Sequence, residues 1–199
     1  MKQNRENPFF ETYRTPFGTP PFDQIETEQY EPAFDEGIWQ LDEEVRAIAD
    51  NTELPTFENT IIALERSGKL LDKVISAFFN VLNAEADDEM MDISQRVSPK
   101  LSESSNNIYL NEQLFARVKS VYDRKDELHL PMEDARLLEK TFEAFCARGA
   151  ALGPEEKEKY RKLSSELSLL SLTFDQNALK DKNRYELLLT KEDELEGLP

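Results

Sequence analysis

Residues 55–68 read Pro-Thr-Phe-Glu-Asn-Thr-Ile-Ile-Ala-Leu-Glu-Arg-Ser-Gly, and this stretch decides the class of fold. Thr56 is a good N-cap, because its hydroxyl can accept a backbone N–H of the first helical turn. The pattern predicts one helix from Phe57 to about Ala84, and Gly68 on its seam would let a neighbouring backbone approach closely. The seam itself repeats at spacings of four and three: Phe57, Ile61, Leu64, Gly68, Leu71, Ile75, Phe78 and Leu82.

The preceding residues predict a partner for this helix. A first helix is expected from Pro32 to Asp50, since proline suits the first turn, where its missing N–H is not needed. The two helices are joined by a short link, so we expect an antiparallel hairpin. The apolar stripe of the first helix is again spaced by four and three: Phe34, Ile38, Leu41, Val45 and Ile48.

Three further helices are predicted from start signals and apolar stripes. The third begins near Asp87, and Pro99 is expected to kink or divide it. The fourth follows Asn111 and the fifth follows Pro131. Their expected core residues are Leu114, Val118 and Val121 in the fourth helix, and Leu138, Phe142 and Phe145 in the fifth.

A sixth helix begins at Pro154, with two acidic residues that complement the helix dipole, and is expected to fade near Lys182. The short apolar run 184–190 then predicts an isolated strand. A single strand has no partner in this sequence, which is typical of a chain cut inside a motif. The sixth helix carries a long stripe predicted to face the core: Tyr160, Leu163, Leu167, Leu170 and Phe174.

The N-terminal residues have a different composition. Residues 1–26 hold four of the ten prolines, and their phenylalanines require something to pack against: Phe9, Phe10, Phe17 and Phe22. We therefore predict an all-α fold in three parts. An extended arm over 1–30 packs on a helical domain over 31–182, and 183–199 begins a further segment.

Charge and composition exclude several classes of partner. Twenty-four basic residues against 41 acidic ones give a net charge of −17, which repels nucleic acid and anionic membrane surfaces. No apolar run is long enough to span a membrane, and the first residues lack the apolar centre of a signal peptide. A single cysteine cannot form an internal disulfide. These features predict a cytoplasmic protein.

Two side chains are candidates for chemistry by their type. His129, the single histidine, falls in a predicted loop, where one histidine alone seldom acts as a ligand or base. Cys146, the single cysteine, lies beside Phe145 on a predicted helix, so we expect a plain buried thiol. We assign neither a catalytic nor a metal-binding role.

Acidic clusters are the remaining candidates. Most of them fall at predicted helix starts, where negative charge interacts favourably with free N–H groups, and Glu43 and Glu44 fall on the wet face of the first helix. No histidine-rich zinc motif, nucleotide-binding loop or calcium loop is present. We therefore predict no catalytic, cofactor-binding or metal-binding residue in this chain. The clusters considered are Glu43/Glu44, Asp87/Asp88/Glu89, Glu155/Glu156 and Glu192/Asp193/Glu194.

A series of short stretches carries a family resemblance. In chain order they are Pro20-Pro-Phe-Asp-Gln-Ile25, Tyr30-Glu-Pro-Ala-Phe34, Pro55-Thr-Phe-Glu-Asn-Thr60 with Ala63–Gly68, Val97-Ser-Pro-Lys-Leu101, Ile108–Asn111 with Leu114-Phe-Ala-Arg117, Leu138–Phe142 and Asp175-Gln-Asn177. Together they resemble the N-terminal portion of the thimet-oligopeptidase family of zinc metallopeptidases. Within the family the likeness is greatest to the peptidyl-dipeptidase branch, with the oligopeptidase A branch next.

The resemblance implies a longer, almost wholly helical enzyme. Such an enzyme binds zinc through a His-Glu-x-x-His helix and a downstream glutamate, and the metal activates water to cut short peptides, releasing C-terminal dipeptides. Its front helices form one wall of a deep substrate channel. No position of this chain matches the zinc motif, so we expect the chain to be inactive and to need the C-terminal catalytic part as its partner.

Helical periodicity alone favours another class of protein, a stand-alone acidic interaction or scaffold module with no enzymatic activity. The isolated strand and the ordered series of family-like stretches argue against it. The gene downstream of Pro199 discriminates the two: a zinc motif supports the peptidase, and a stop codon supports the module.

Overall fold

The structure is a computed structural model that describes residues 7–85, 87–186 and 188. These residues form α-helices joined by turns and short 3₁₀ segments, so the predicted all-α fold is confirmed. The α-helices of the described residues are α1 (Tyr30–Ala49), α2 (Ala63–Glu65), α3 (Lys69–Glu85), α4 (Asp88–Tyr109), α5 (Glu112–Tyr122), α6 (Met132–Ala147) and α7 (Pro154–Arg184).

The predicted strand over 184–190 is not found in its described part. Arg184 is the last residue of α7, and its C-cap Tyr185 donates its backbone N–H to the carbonyl of Lys182. Tyr185, Glu186 and Leu188 belong to no strand. The remaining positions of the predicted strand lie outside the described residues, as does the predicted turn after Lys191.

The central hairpin is formed by α1 and α3, which run antiparallel as predicted. Near the start of α1 the ring of Phe34 meets that of Phe78 edge-on, with centroids 5.3 Å apart. Further along α1, Gly37 lies against the backbone of Leu71, and an added Cβ there would stand 3.0 Å from the Leu71 Cα. The absent side chain at Gly37 therefore sets how closely the two helices pack.

The predicted single helix from Phe57 to Ala84 is wrong, because it is broken at Gly68. Thr56 and Asn59 form a reciprocal capping box, and Phe57–Ile62 then winds as a π-helix into α2. A turn follows, in which Gly68 adopts φ +76°. That left-handed conformation is incompatible with a continuing helix and is readily adopted by glycine. The break changes the direction of the chain, so that α3 runs antiparallel to α1.

Of the two effects expected at Pro99, a kink or a division of the third helix, division is excluded. Pro99 lies inside α4, which continues to Tyr109. A proline removes one backbone hydrogen bond, and α4 is held over its length by packing on α1 and α7. The N-cap is Asp87, whose carboxylate accepts the backbone N–H of Met90 at 2.7 Å.

The buried apolar residues form two clusters that share the partly buried Leu41 at their boundary. The first cluster joins the arm, the first half of α1, α3 and α4, and includes Phe9, Phe34, Val74, Phe78 and Val97. The second joins the end of α1 to the π-helix, α5 and α6, and includes Val45, Phe57, Leu114, Val118, Leu138 and Phe145.

The N-terminal arm is fixed to α3 by Lys73. The Nζ of Lys73 donates to the carbonyls of Phe9 and Glu11 at 2.8 and 2.6 Å and lies 3.7 Å from the ring centre of Tyr13. Phe9 is fully buried against Tyr30, whereas Phe17 is fully exposed. Only part of the arm's aromatic content therefore packs on the helices.

Among the described residues, none of the helices combines the length and the apolar character needed to cross a membrane.

Candidate functional site

The two candidate reactive side chains lie on the surface. His129 sits in the turn between α5 and α6, is exposed, and adopts φ +47°. Cys146 is exposed on α6, so its predicted burial is wrong. Phe145 occupies the buried face, and the next residue is turned away from it by about 100°. The two residues lie on different elements, and the structure does not bring them together.

The acidic clusters in the described residues have structural positions: they lie at helix starts or bond to a neighbouring turn. Asp87 caps α4, and Glu155 and Glu156 lie in the first turn of α7. Glu44 reaches across from α1, and its Oε2 accepts the backbone N–H of Gly68 at 2.8 Å. In the part of the chain that is described, no three His, Cys, Asp or Glu side chains are grouped to hold a metal ion. The cluster Glu192/Asp193/Glu194 lies outside that part.

An ion-pair group links α1 to α4. Arg96 and Lys100 of α4 contact Glu31, and Lys100 also contacts Asp35 at 2.6 Å. The hydrogen bond from Arg96 holds the pKa of Glu31 below its usual range, and the one to Asp35 raises the pKa of Lys100. These groups are partly exposed, so they orient the helices with a modest effect on stability.

Arg117 is a buried charged residue to which sequence reasoning assigned no role. It lies on the apolar side of α5, and its guanidinium donates to the carbonyls of Asn51 and Glu53 at 2.6 and 3.0 Å. It also donates to the side chains of Asn59 and Thr60. The sequence signal for this role is the position of Arg117, which falls between the core residues Leu114 and Val118 of the same helix. The partners of Arg117 are in the 51–60 segment, so α5 fixes the start of the π-helix.

The outer face of α7 carries apolar residues that the sequence placed in the core, and this prediction is wrong. The side chains are largely exposed: Leu163 by 65%, Leu167 by 64%, Leu170 by 60% and Phe174 by 72%. We call these four residues the α7 stripe. They form an apolar surface on the last described helix.

The inner face of α7 packs on α4 through polar groups. Gln176 is buried, and its amide donates to Ser94 Oγ at 3.1 Å and accepts from Gln95. Ser164 and Asn106 exchange hydrogen bonds at 2.8 and 3.2 Å. This seam of small and polar side chains positions α7 with the α7 stripe facing outward. The serines of α4 at 94, 98, 102 and 105 are the sequence signal for it.

Two further polar contacts fix the start of α7. Lys157 is buried, and its Nζ donates to the carbonyl of Leu110 at 3.3 Å and to Glu112 at 3.0 Å. One turn later, Arg161 donates to Asn107 at 2.9 Å. The hydrogen bonds therefore extend from the beginning of α7 to Gln176 and hold the helix in one rotational setting.

A groove of about 490 Å³ runs where α7 meets α3 and α4. Its lining is mainly apolar, with Asp175 and Lys182 as its ionisable residues. Neither is a nucleophile with a base beside it, so the groove offers surface for packing. The apolar lining residues are Phe79, Leu82, Met91, Leu172, Ala178 and Leu179.

The chain is similar over most of its length to part of several peptidases. It is 43% identical over 173 residues to dipeptidyl carboxypeptidase of Escherichia coli, a match that covers 87% of this chain and 25% of that protein. The chain is homologous to part of the thimet-oligopeptidase family. More distant relatives are an organellar oligopeptidase A of Arabidopsis thaliana, 27% identical over 186 residues, and oligopeptidase A of Escherichia coli, 24% identical over 185 residues.

The predicted likeness to the peptidyl-dipeptidase and oligopeptidase A branches is thereby confirmed. For the two oligopeptidases A, the match covers 92% and 93% of this chain and 23% and 27% of the relative. The chain thus spans about a quarter of the length of the relatives it matches. No family profile matches the chain.

Proposed function

We propose that this chain is the non-catalytic, N-terminal helical part of a zinc-dependent peptidase that releases C-terminal dipeptides from short peptides. The observation that carries the proposal is the 43% identity to dipeptidyl carboxypeptidase over 173 residues, which are 25% of that enzyme. In this proposal the zinc and the residues that activate water are held outside this chain, and residues 183–199 begin the segment that leads to them. The whole enzyme is proposed to be cytoplasmic.

The role proposed for the helices is that of a wall of the substrate channel. A wall that excludes folded proteins must be stiff, and α1 contributes buried side chains to both apolar clusters, with α3 packed beside it in the first. At a rise of about 1.5 Å per residue, α1 extends about 30 Å and α7 about 46 Å. Both lengths suit a surface that lines a deep channel.

A chimera tests the proposal. This chain replaces the matched quarter of Escherichia coli dipeptidyl carboxypeptidase, and dipeptide release from a short blocked peptide is measured by mass spectrometry. We expect release by the chimera, its loss with a chelator and its recovery with zinc. The 199-residue chain alone, with zinc, is expected to release nothing. Turnover by the chain alone, or a folded but inactive chimera, would contradict the proposal.

A stand-alone acidic interaction module is the second candidate function. The exposed α7 stripe favours it, because apolar surfaces of this kind mark protein contacts. The gene sequence beyond Pro199 distinguishes the two functions. A stop codon favours the module, and a downstream His-Glu-x-x-His sequence on a helical pattern favours the peptidase.

A further inference from the structure

We propose that the α7 stripe is the surface on which the remainder of the peptidase packs. The inference rests on the proposed function and extends it, because it names the residues of this chain that join the two parts. The occupant is the part of the enzyme that follows this chain, and it would meet the stripe with apolar side chains.

The four side chains form one continuous surface. At about 100° per residue, Leu163, Leu167, Leu170 and Phe174 fall within an arc of about 60°, and they extend along about 17 Å of the helix. Single exposed apolar residues are normal on a protein surface, but a contiguous row marks a contact site. The four side chains therefore form a continuous apolar contact surface on α7 and are not isolated exposed residues.

A rotation of α7 that turned the stripe inward would cost hydrogen bonds on the other side of the helix. Ser164 and Gln176 hold the other side of α7 against α4 by hydrogen bonds, and the buried Lys157 bonds to Leu110 and Glu112 just after α4. A rotation of α7 that buried the leucines would break the hydrogen bonds that the buried Lys157 and Gln176 make outside their own helix, which is costly inside a protein. Another element must therefore cover the stripe.

Length and charge point to the rest of the enzyme as that element. The match covers 25% of dipeptidyl carboxypeptidase, so three times as much of such an enzyme lies outside this chain. A second copy of the chain would bring another net charge of −17 against the first. Like charges of that size oppose self-association, so a different partner fits the stripe better.

Cysteine labelling tests which surface is covered. Leu170→Cys is made in a Cys146→Ser background, both in the isolated chain and in the dipeptidyl carboxypeptidase chimera. The matched control is Leu54→Cys, since Leu54 is 81% exposed in the loop between α1 and the π-helix. Labelling at each position is followed by peptide mass spectrometry. We expect Leu170→Cys to react at least about tenfold more slowly in the chimera, while Leu54→Cys reacts equally in both.

A substitution pair gives a second readout. Leu167→Gln with Leu170→Gln should leave the melting temperature of the isolated chain unchanged, and should lower both the melting temperature and the dipeptide release of the chimera. Leu54→Gln with Met132→Gln is the control, because Met132 is 85% exposed. The control pair should leave the melting temperatures of the isolated chain and the chimera unchanged, and likewise the dipeptide release of the chimera.

The outcomes separate the two proposals. An active chimera in which Leu170→Cys labels as fast as in the isolated chain would overturn the docking surface and leave the proposed function standing. A folded chimera without dipeptide release would overturn the proposed function itself. A dimer of the isolated chain, with Leu170→Cys protected as concentration rises, would assign the stripe to a second copy.

Discussion

At the scale of single residues, buried polar side chains fix the loops that the apolar pattern leaves open. Arg117 is 93% buried and bonds to backbone carbonyls and neutral side chains. Its Nε has no partner among the described residues. The charge is stabilised by four hydrogen bonds to the 51–60 segment, so Arg117 is a structural clamp.

Arg117→Met is expected to destabilise the chain by about 3 kcal/mol, because it removes the charged hydrogen bonds to the carbonyls of Asn51 and Glu53 and to the side chain of Asn59. The stability of Arg117→Lys should fall between those of the unchanged chain and Arg117→Met, since an ammonium cannot reproduce the forked geometry of the guanidinium. Arg66→Met, at an exposed arginine after α2, is the control and should stay within about 0.5 kcal/mol. Urea unfolding measures all three. Equal stability of the Arg117 and Arg66 variants would refute the clamp.

The arm carries a partly buried tyrosine, Tyr13, whose titration reports its packing. Burial, together with the nearby Tyr30, raises the pKa of Tyr13 to about 12 from the ordinary 10.0. The unfolded chain therefore loses this proton first as pH rises. The contribution of Tyr13 to stability is complete below pH 10 and should be lost between pH 10 and about 12.

Tyr13→Phe should remove that part of the pH dependence, and it should not lower stability at neutral pH. The hydroxyl of Tyr13 has no hydrogen-bond partner in the described part of the chain, so its deletion breaks no bond. Urea unfolding as a function of pH, with phenolate absorbance as a second probe, measures both effects. An identical alkaline slope in the variant would contradict the assignment.

At the scale of elements, glycines decide where helices end and how closely they pack. Gly68 ends the turn before α3 with φ +76°, and a Cβ there would stand 3.2 Å from Leu41 Cδ1. Gly37 is helical, and its constraint is the backbone of Leu71. The first glycine breaks a helix that the apolar period alone would continue, and the second allows α1 and α3 to approach.

Gly68→Ala is expected to cost more than Gly18→Ala, and the comparison isolates packing from backbone strain. Both residues have positive φ, +76° and +66°, but nothing lies within 4 Å of a Cβ at Gly18. Gly18→Ala should therefore lose about 1 kcal/mol from strain alone, and Gly68→Ala more than that. Thermal and urea unfolding provide the values. A larger loss at Gly18 would show that Leu41 does not crowd the site.

At the scale of the whole molecule, two apolar clusters hold the helices, and α7 is attached to them through polar contacts with α4. The same residue type thus has opposite roles in different places. Phe78 of α3 is fully buried in the first cluster, whereas Phe174 is 72% exposed on the α7 stripe. Sequence periodicity treats these two positions alike.

Phe78→Ala should destabilise the chain by about 3–5 kcal/mol, because it removes a buried ring and leaves a cavity. Phe57→Ala should cost a similar amount, since Phe57 is buried in the second cluster. Phe174→Ala is the matched control and should leave the unfolding free energy of the isolated chain within about 0.5 kcal/mol. A large loss at Phe174 would mean that α7 packs differently.

The sequence by itself determined the helices, most of their ends, the α1–α3 hairpin and the family. Helix caps such as Thr56 and the spacing of apolar residues depend on only a few neighbouring residues, so they can be recognised in the sequence without a structure. Only the tertiary structure decided the break at Gly68, the continuity of α4 through Pro99 and the exposure of the α7 stripe. Each of these depends on which neighbour lies against a face, and a helical period states that a face is apolar without stating what covers it.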